Sequence, residues 1–377
     1  SAIPGDRAQI GLEVMRHGKD FMSDKPGLVS LEELDEVRRV QAETKRIYTI
    51  LYSEHYDQRS TIKACELVKA GAIGDVLNTV GLGPHRIRKN QRPDWFFKRA
   101  RYGGILTDIG SHQAEQFLYL TGATDATIQS ANVANHTHPD KPELQDFGDM
   151  LLATERATGY VRVDWYTPDG LSTWGDGRMF ITGTEGTIEL RKYVDVAGRE
   201  GKDHLFLVDR KGTHYFDCTQ VEKTFGKELA FDVLNRTQTH MSQAHCFKAM
   251  EIVLKAQAMA DSVARFGGSW IFILSFGGFL LVWIVLNAFF RAPVWCAELD
   301  SLLWHAARAR GNGWVFESIA RESAPTRALP DSPQSVQKAF DLLGGAWVGG
   351  VHAKIPRFSR PKIRVPARSP FKPAVKA

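Results

Sequence analysis

Cysteine is scarce in this chain. The 377 residues contain four cysteines, and no two of them have the short spacing of a metal-binding pair or a disulfide framework. The sequence therefore predicts reduced, buried thiols and no metal site. The four are Cys65, Cys218, Cys246 and Cys296.

An N-terminal leader is also lacking. The chain begins at Ser1 without an initiator methionine and without a charged segment followed by an apolar run. Two explanations fit this start: a signal peptide has been removed, or residues that precede Ser1 are missing. The second is the one that the motifs favour.

A net positive charge is lacking outside the C-terminal segment. The net charge is +5, but residues 291–377 hold 14 Lys and Arg against 6 Asp and Glu, a net of +8. The first 290 residues hold 34 against 37, a net of −3. Because the main part of the chain is slightly acidic, we expect no nucleic-acid partner.

Helix and strand patterns alternate over residues 1–74. Ser30 with Glu33 forms a capping box, and residues 47–52 are the β-rich run of a strand buried on both faces. This alternation predicts an α/β fold, a partial doubly wound, Rossmann-like unit. Its predicted helices are 8–17, 30–45 and 60–70, and its predicted strands are 20–23 and 47–52.

From residue 75 the pattern changes to short strands. These predict a second, α+β domain over 75–260, built on an open, mostly antiparallel sheet. One helix at 108–120 interrupts the strands, and a last helix covers 239–260. The predicted strands are 76–83, 127–135, 149–154, 159–165, 178–182, 187–190 and 204–208.

Residues 270–290 form a run of 21 residues without a charge. This length suits a membrane-spanning helix within a segment at 261–292, and a buried core helix is the alternative. We expect the remainder, 293–377, to be a basic and partly disordered tail.

Asp108 and His112 form the first chemical motif, and Gly103 and Gly104 precede them. On one helix, residues four apart have Cβ atoms about 5–6 Å from each other, so both side chains can reach one small ligand. An imidazole can accept a hydroxyl proton, and a carboxylate can orient substrate hydroxyls. The alternatives are an acidic residue at a helix N-terminus and a histidine packed in the core.

Lys25 is the second motif. It follows a predicted strand and precedes Pro26, which fixes the turn. An ammonium group there would stabilise a substrate oxygen as alkoxide character develops. A solvated loop lysine is the alternative.

Taken together and in this order, the motifs resemble the glucose-fructose oxidoreductase, inositol dehydrogenase and rhizopine-catabolism (Gfo/Idh/MocA) family over about residues 1–260. The run 24–26 is Asp-Lys-Pro where the family has Glu-Lys-Pro, and Gly104 through His112 matches the second family motif. The run 183–186, Gly-Thr-Glu-Gly, matches a turn of the family's C-terminal sheet, where its role is structural.

The resemblance implies an NAD(P)-dependent oxidoreductase acting on a sugar or polyol hydroxyl. His112 would be the acid/base, Lys25 the electrostatic partner at the nicotinamide, and Asp108 the substrate-orienting carboxylate. The remaining implied residues are Arg92, Trp95 and Trp165 for the substrate, and Pro4, Tyr56 and Arg59 for the cofactor.

One departure concerns the cofactor. The family opens with a strand, a glycine-rich turn and a helix whose N-terminus binds the pyrophosphate, and no such run precedes Lys25. We therefore expect the first half of the dinucleotide-binding domain to be missing from residues 1–74. The chain is therefore expected to bind NAD or NADP poorly or not at all.

Other functions stay open. Residues 262–292 resemble a membrane helix of an uncharacterised bacterial inner-membrane protein family, which implies a membrane-tethered, non-catalytic scaffold. Some family relatives use NAD to cleave glycosides by transient oxidation. The resemblance also implies a homo-oligomer formed through the C-terminal sheet, and a cytoplasmic enzyme part that is membrane-associated if 270–290 inserts.

Overall fold

The computed structural model describes residues 2–267 and 270–290. The chain divides into one unit at Ser1–Val282 and a second at Trp283–Ala377. The predictions for Cys296 and for the tail at 293–377 lie outside the described residues. The other three cysteines are free and buried, as predicted.

The described residues form ten strands and ten α-helices, with short 3₁₀ helices at Lys89–Gln91 and Asp94–Phe97. The strands are β1 (Phe21–Asp24), β2 (Tyr48–Leu51), β3 (Val76–Pro84), β4 (Thr127–Ala134), β5 (Phe147–Ala153), β6 (Thr158–Asp164), β7 (Arg178–Gly183), β8 (Gly186–Arg191), β9 (His204–Asp209) and β10 (Gly212–Asp217). The helices are α1 (Pro4–Arg16), α2 (Leu31–Thr44), α3 (Ser53–Tyr56), α4 (Arg59–Lys69), α5 (Arg99–Tyr102), α6 (Ile105–Asp108), α7 (Gly110–Thr121), α8 (Phe225–Asn235), α9 (Gln243–Gly267) and α10 (Trp270–Phe290).

The small sheet pairs β1 and β2 in parallel, and α1 packs against α2 beside it. At the start of α2 the Ser30 hydroxyl accepts a hydrogen bond from the Glu33 amide at 3.2 Å, as the capping box predicts. The helix ends at Thr44, and the next residue, Lys45, has a left-handed φ of +56°. The predicted partial α/β unit is confirmed.

The large sheet has eight strands in the order β10-β9-β8-β7-β3-β6-β5-β4. Its neighbours are antiparallel except for β3 and β6, which are parallel, so the predicted open, mostly antiparallel sheet is confirmed. Strand β10 was not predicted because its sequence, Gly-Thr-His-Tyr-Phe-Asp, does not alternate polar and apolar residues cleanly. Helix α9 contacts both β2 and β4, on the two sides of the predicted boundary at residue 74.

Helix α7 lies on the large sheet and is covered by α9. The start of α7 lies so close to β3 that a Cβ atom added to Gly81 would stand 2.7 Å from the Gln113 side chain. A Cβ on Gly83 would be 3.0 Å from the same side chain. The two strand glycines therefore fix how deep the start of α7 sits.

Three predicted helices need correction. The helix predicted at 8–17 is α1, which starts at Pro4. The helix predicted at 108–120 is two helices, because the chain turns at Ile109, and the His112 amide donates to the Ile109 carbonyl oxygen rather than to Asp108. The last helix starts at Gln243 rather than at Thr239. The Asp232 carboxylate accepts the backbone amides of Thr239 and His240, both at 2.9 Å, and holds them in a turn.

Helix α10 occupies the predicted apolar run at 270–290. Over the part of the chain that the structure describes, no helix is long and apolar enough to cross a bilayer. The predicted membrane span is therefore not confirmed.

The close packing of the turn between β7 and β8 can be tested by substitution of a glycine. A Cβ on Gly183 would overlap the backbone carbonyl oxygen of Ile73, so we expect Gly183→Ala to lower the free energy of unfolding by about 1–3 kcal/mol. Gly226→Ala is the matched control, because nothing lies within 4 Å of its added methyl group. Urea denaturation of both variants measures the difference, and equal stabilities would contradict the structural role of the turn.

Candidate active site

Lys25 lies directly after β1, and its ammonium group meets a carboxylate that is 83 residues away in sequence. The Lys25 Nζ atom is 2.8 Å from Asp108 Oδ1. The two side chains are 16% and 13% exposed, so the pair can still be reached by a ligand. The structure thus joins the two motifs found in the sequence, although the role of each residue remains a prediction.

Arg7 on α1 fixes the loop that carries Lys25. Its Nη1 atom donates to the carbonyl oxygens of Asp24, Lys25 and Pro26, at 2.8, 2.7 and 2.8 Å. A guanidinium group that binds three successive carbonyl oxygens holds the backbone of this turn in one conformation. The ammonium group of Lys25 is therefore presented from a fixed base.

His112 is the third residue of α7 and is only 2% exposed. Burial lowers the pKa of His112 to about 3, the charges of Lys25 and Lys192 act in the same direction, and Glu54 opposes them. At neutral pH the imidazole is therefore uncharged. A neutral imidazole can accept a proton, which an acid/base role in oxidation requires.

The glycine pair that precedes α6 allows a tight approach. Gly103 and Gly104 have φ values of +88° and +92°, which side-chain-bearing residues rarely adopt. A Cβ on Gly104 would overlap the side-chain amide of Gln257 on α9. The pair therefore seats α6, and with it Asp108, against α9.

Arg92, Phe96 and Trp165 form one wall, in which the guanidinium group lies against two aromatic rings. The Arg92 guanidinium carbon lies 4.5 Å from the centre of the Phe96 ring and 5.3 Å from that of Trp165. Burial lowers the pKa of Arg92, and the charge of Asp108 opposes this shift, which places Arg92 within electrostatic reach of the ion pair. Trp95 is half-buried and contacts this wall through Phe96.

His85 is a site residue that the sequence patterns did not reveal. It directly follows β3, and its ring packs against Trp165 at 5.4 Å and Trp174 at 4.4 Å between centres. Burial and the charge of Lys25 lower the pKa of His85 to about 4. Its position after a strand that carries Gly81 and Gly83 was the available signal.

Two of the predicted cofactor residues are engaged elsewhere. The Tyr56 hydroxyl donates to Glu115 at 3.2 Å, and its ring stacks on His55. Arg59 donates to the carbonyl oxygen of Thr219. Pro4 is buried at the first position of α1. None of these contacts supports a role in cofactor binding, which stays a prediction.

The described residues fit one end of a nicotinamide dinucleotide. Ligands of parallel α/β sheets bind at the carboxyl ends of the strands, where β1 delivers Lys25. Within residues 2–267 and 270–290, neither strand of the parallel sheet, β1 or β2, is followed by a glycine-rich turn that leads into a helix and could hold a pyrophosphate. The nicotinamide end therefore fits these residues better than the phosphates do.

Several known proteins are similar to this chain. The scyllo-inositol 2-dehydrogenase (NADP(+)) of Bacillus subtilis is 30% identical over 117 residues, 31% of each chain. The D-xylose dehydrogenase of Paenarthrobacter nicotinovorans is 25% identical over 170 residues, which are 44% of this chain and 42% of that one. The match thus spans less than half of either relative. The fold is shared with the crystal structure of myo-inositol 2-dehydrogenase from Lactobacillus plantarum, at 17% identity and a TM-score of 0.55, over 69% of this chain and 76% of that one.

Two further comparisons decide the family. The model of the GFO/IDH/MocA C-terminal domain matches residues 61–189. A crystal structure of an oxidoreductase from Erwinia carotovora atroseptica is 49% identical, with a TM-score of 0.67, and the match covers 69% of this chain and 78% of that one. Because the family's domain model matches this chain and 49% identity extends over most of that oxidoreductase, this protein belongs to the Gfo/Idh/MocA family.

Proposed function

We propose that the protein is an NAD(P)-dependent oxidoreductase that oxidises a secondary hydroxyl of a sugar or polyol. The observation that carries this proposal is the part-buried Lys25–Asp108 ion pair, placed within electrostatic reach of the buried, neutral His112. The names of the inositol and xylose dehydrogenases suggest the substrate class. The comparisons give no support to a scaffold or a glycosidase.

Substrate binding is the task of charged and aromatic groups in this proposal. Asp108 can accept hydrogen bonds from two substrate hydroxyls, and Lys25 can donate to the oxygen that reacts. The ring of Trp165 and the guanidinium group of Arg92 would line the side of the sugar. Such an arrangement selects ligands that carry adjacent hydroxyl groups.

Proton transfer is the task of His112. When bound, the nicotinamide ring supplies the hydride acceptor. As the C–H bond breaks, the hydroxyl proton passes to the neutral imidazole, and the carbon becomes a carbonyl. The ammonium group of Lys25 stabilises the negative charge that develops on the oxygen during this step.

We also propose that the protein forms a homo-oligomer through the outer face of the large sheet. One row of cross-strand neighbours on this face runs through Tyr160, Val80, Phe180, Glu189, Phe206 and Tyr215, and five of these six side chains are apolar or aromatic. Phe180 is 37% and Tyr215 42% exposed, which a partner sheet would cover. Light scattering during size-exclusion chromatography measures the mass, and a monomer at micromolar concentration would contradict the proposal.

The function is tested by a substrate panel. Inositols, D-xylose and other polyols are offered with NAD⁺ or NADP⁺ at millimolar concentration, since cofactor binding is expected to be weak. We expect the absorbance of reduced nicotinamide to rise with at least one substrate and to stay flat for Asp108→Asn. The coenzyme that gives the larger kcat/KM decides between NAD and NADP. Folded protein that reduces neither coenzyme with any substrate would contradict the proposal.

A further inference from the structure

A buried ion pair lies behind His112 and has no part in the mechanism above. Glu54 on α3 and Lys192, directly after β8, are 2% and 0% exposed. The Lys192 Nζ atom is 2.8 Å from Glu54 Oε2. Burying two charges costs more than a salt bridge usually returns, so a pair at this depth needs another explanation.

Both partners are tied to the turn of α7 that carries His112. Lys192 donates to Gln116 Oε1 at 2.9 Å, and Gln116 Nε2 donates to the His112 carbonyl oxygen at 2.7 Å. Gln113 Nε2 donates to Glu54 Oε2 at 2.9 Å. The ion pair and the backbone of His112 therefore form one connected network of buried hydrogen bonds.

Two atoms of this network are a carboxylate oxygen, which can attract a proton, and a ring nitrogen, which can carry one. Glu54 Oε1 and His112 Nδ1 are both buried, and neither has a hydrogen-bond partner among the described residues. Glu54 is also the charged group that acts most strongly on the imidazole of His112. The other charges that act on the ring come from Lys25 and Lys192, and both repel a proton. His85 also faces the ring but is uncharged at neutral pH, because its pKa is lowered to about 4.

We propose that Glu54, held ionised by Lys192, is a positioning residue that keeps the single proton of neutral His112 on Nδ1. A carboxylate behind one ring nitrogen attracts the N–H dipole and so selects the tautomer. Nε2 is then unprotonated and can accept the hydroxyl proton of the substrate. This catalytic consequence rests on the proposed function, whereas the tautomer itself does not.

The tautomer can be measured without any substrate. The full chain is labelled with ¹⁵N in the histidine rings, and the His112 signals are identified by their loss in His112→Asn. We expect the wild type to show the Nδ1–H form. Glu54→Gln removes the negative charge that attracts the Nδ1–H dipole, while Lys192 keeps its positive charge, so we expect the equilibrium to move to the Nε2–H form. Glu54→Asp is expected to restore the Nδ1–H form.

The matched control is Glu115→Gln. Glu115 is an equally buried carboxylate on the same helix, but it accepts hydrogen bonds from His55 and His245 rather than facing His112. This variant should change the signals of those two histidines and leave the His112 tautomer unchanged. Circular dichroism shows whether each variant is folded.

Two results would overturn the proposal. The first is an Nε2–H form in the wild type, which decides the question even if no Glu54 variant folds. The second is an unchanged tautomer in folded Glu54→Gln.

The activity readout is separate. If the panel yields a substrate, we expect Glu54→Gln to lower kcat by about 10–100-fold with little change in KM, as removal of an orienting partner does. If the wild type turns over none of the compounds, the function proposal fails while the tautomer result stands.

Discussion

Replacing His112 with asparagine is expected to lower kcat for sugar or polyol oxidation by about 10²–10⁴-fold, the usual contribution of a general acid/base. Asparagine keeps a polar group of similar size in the buried position but cannot take up the hydroxyl proton. The KM for the substrate should change much less, because Asp108 and Lys25 remain in place. Initial rates of nicotinamide reduction measure both constants.

His17→Asn is the control for this prediction. His17 is exposed at the end of α1, where the Nδ1 atom of its ring lies 2.9 Å from the carbonyl oxygen of Glu13. This variant should keep the wild-type rate. A His112→Asn enzyme that kept most of its activity would show that the proton goes elsewhere, with His85 as the next candidate.

Lys192→Met is expected to lower the free energy of unfolding by about 3–5 kcal/mol at neutral pH, because it leaves Glu54 buried without its counter-ion. The double variant Glu54→Gln/Lys192→Met should lose less, since it removes both charges. Urea denaturation of the wild type and the two variants measures these differences. Equal losses in both variants would contradict the ion-pair explanation.

The loss in Lys192→Met should depend on pH. Burial alone would raise the pKa of Glu54, but the charge of Lys192 is the largest effect that opposes it, and the pKa is lowered from 4.5 to about 2. The ion pair therefore stabilises the fold above about pH 4.5, and this contribution disappears as the pH falls towards 2. The stability gap between wild type and Lys192→Met should narrow over that range, and a constant gap would contradict the assignment.

The sequence predicted Lys25 and Asp108 in one site because both residues stand in motifs whose order and neighbours are distinctive, but it did not predict the ion pair between them. The strand before Lys25 and the glycine pair before Asp108 fix the backbone conformation next to each residue. The sequence did not reveal that Ile109 separates α6 from α7. Local periodicity cannot distinguish one helix from two when the turn between them is a single residue.

The buried ion pair behind His112 was not predictable from the sequence. Lysine and glutamate are usually exposed, so nothing in the chain marks Lys192 and Glu54, which are 138 residues apart, as a buried pair. Arg59 illustrates the same limit. Its hydrogen bond to the carbonyl oxygen of Thr219, 160 residues away, could not be inferred from the sequence, and the cofactor contact stays a prediction.

The most direct test of the central claim follows the hydrogen atom. A substrate from the panel, deuterated at the carbon that bears the reacting hydroxyl, is incubated with the full chain and the preferred coenzyme, and mass spectrometry locates the label. The account predicts one deuterium in the reduced nicotinamide for each carbonyl product, and about 10²–10⁴-fold slower formation of both products with His112→Asn. Deuterium that stays on the sugar, or product without reduced nicotinamide, would contradict hydride transfer at the site formed by Lys25, Asp108 and His112.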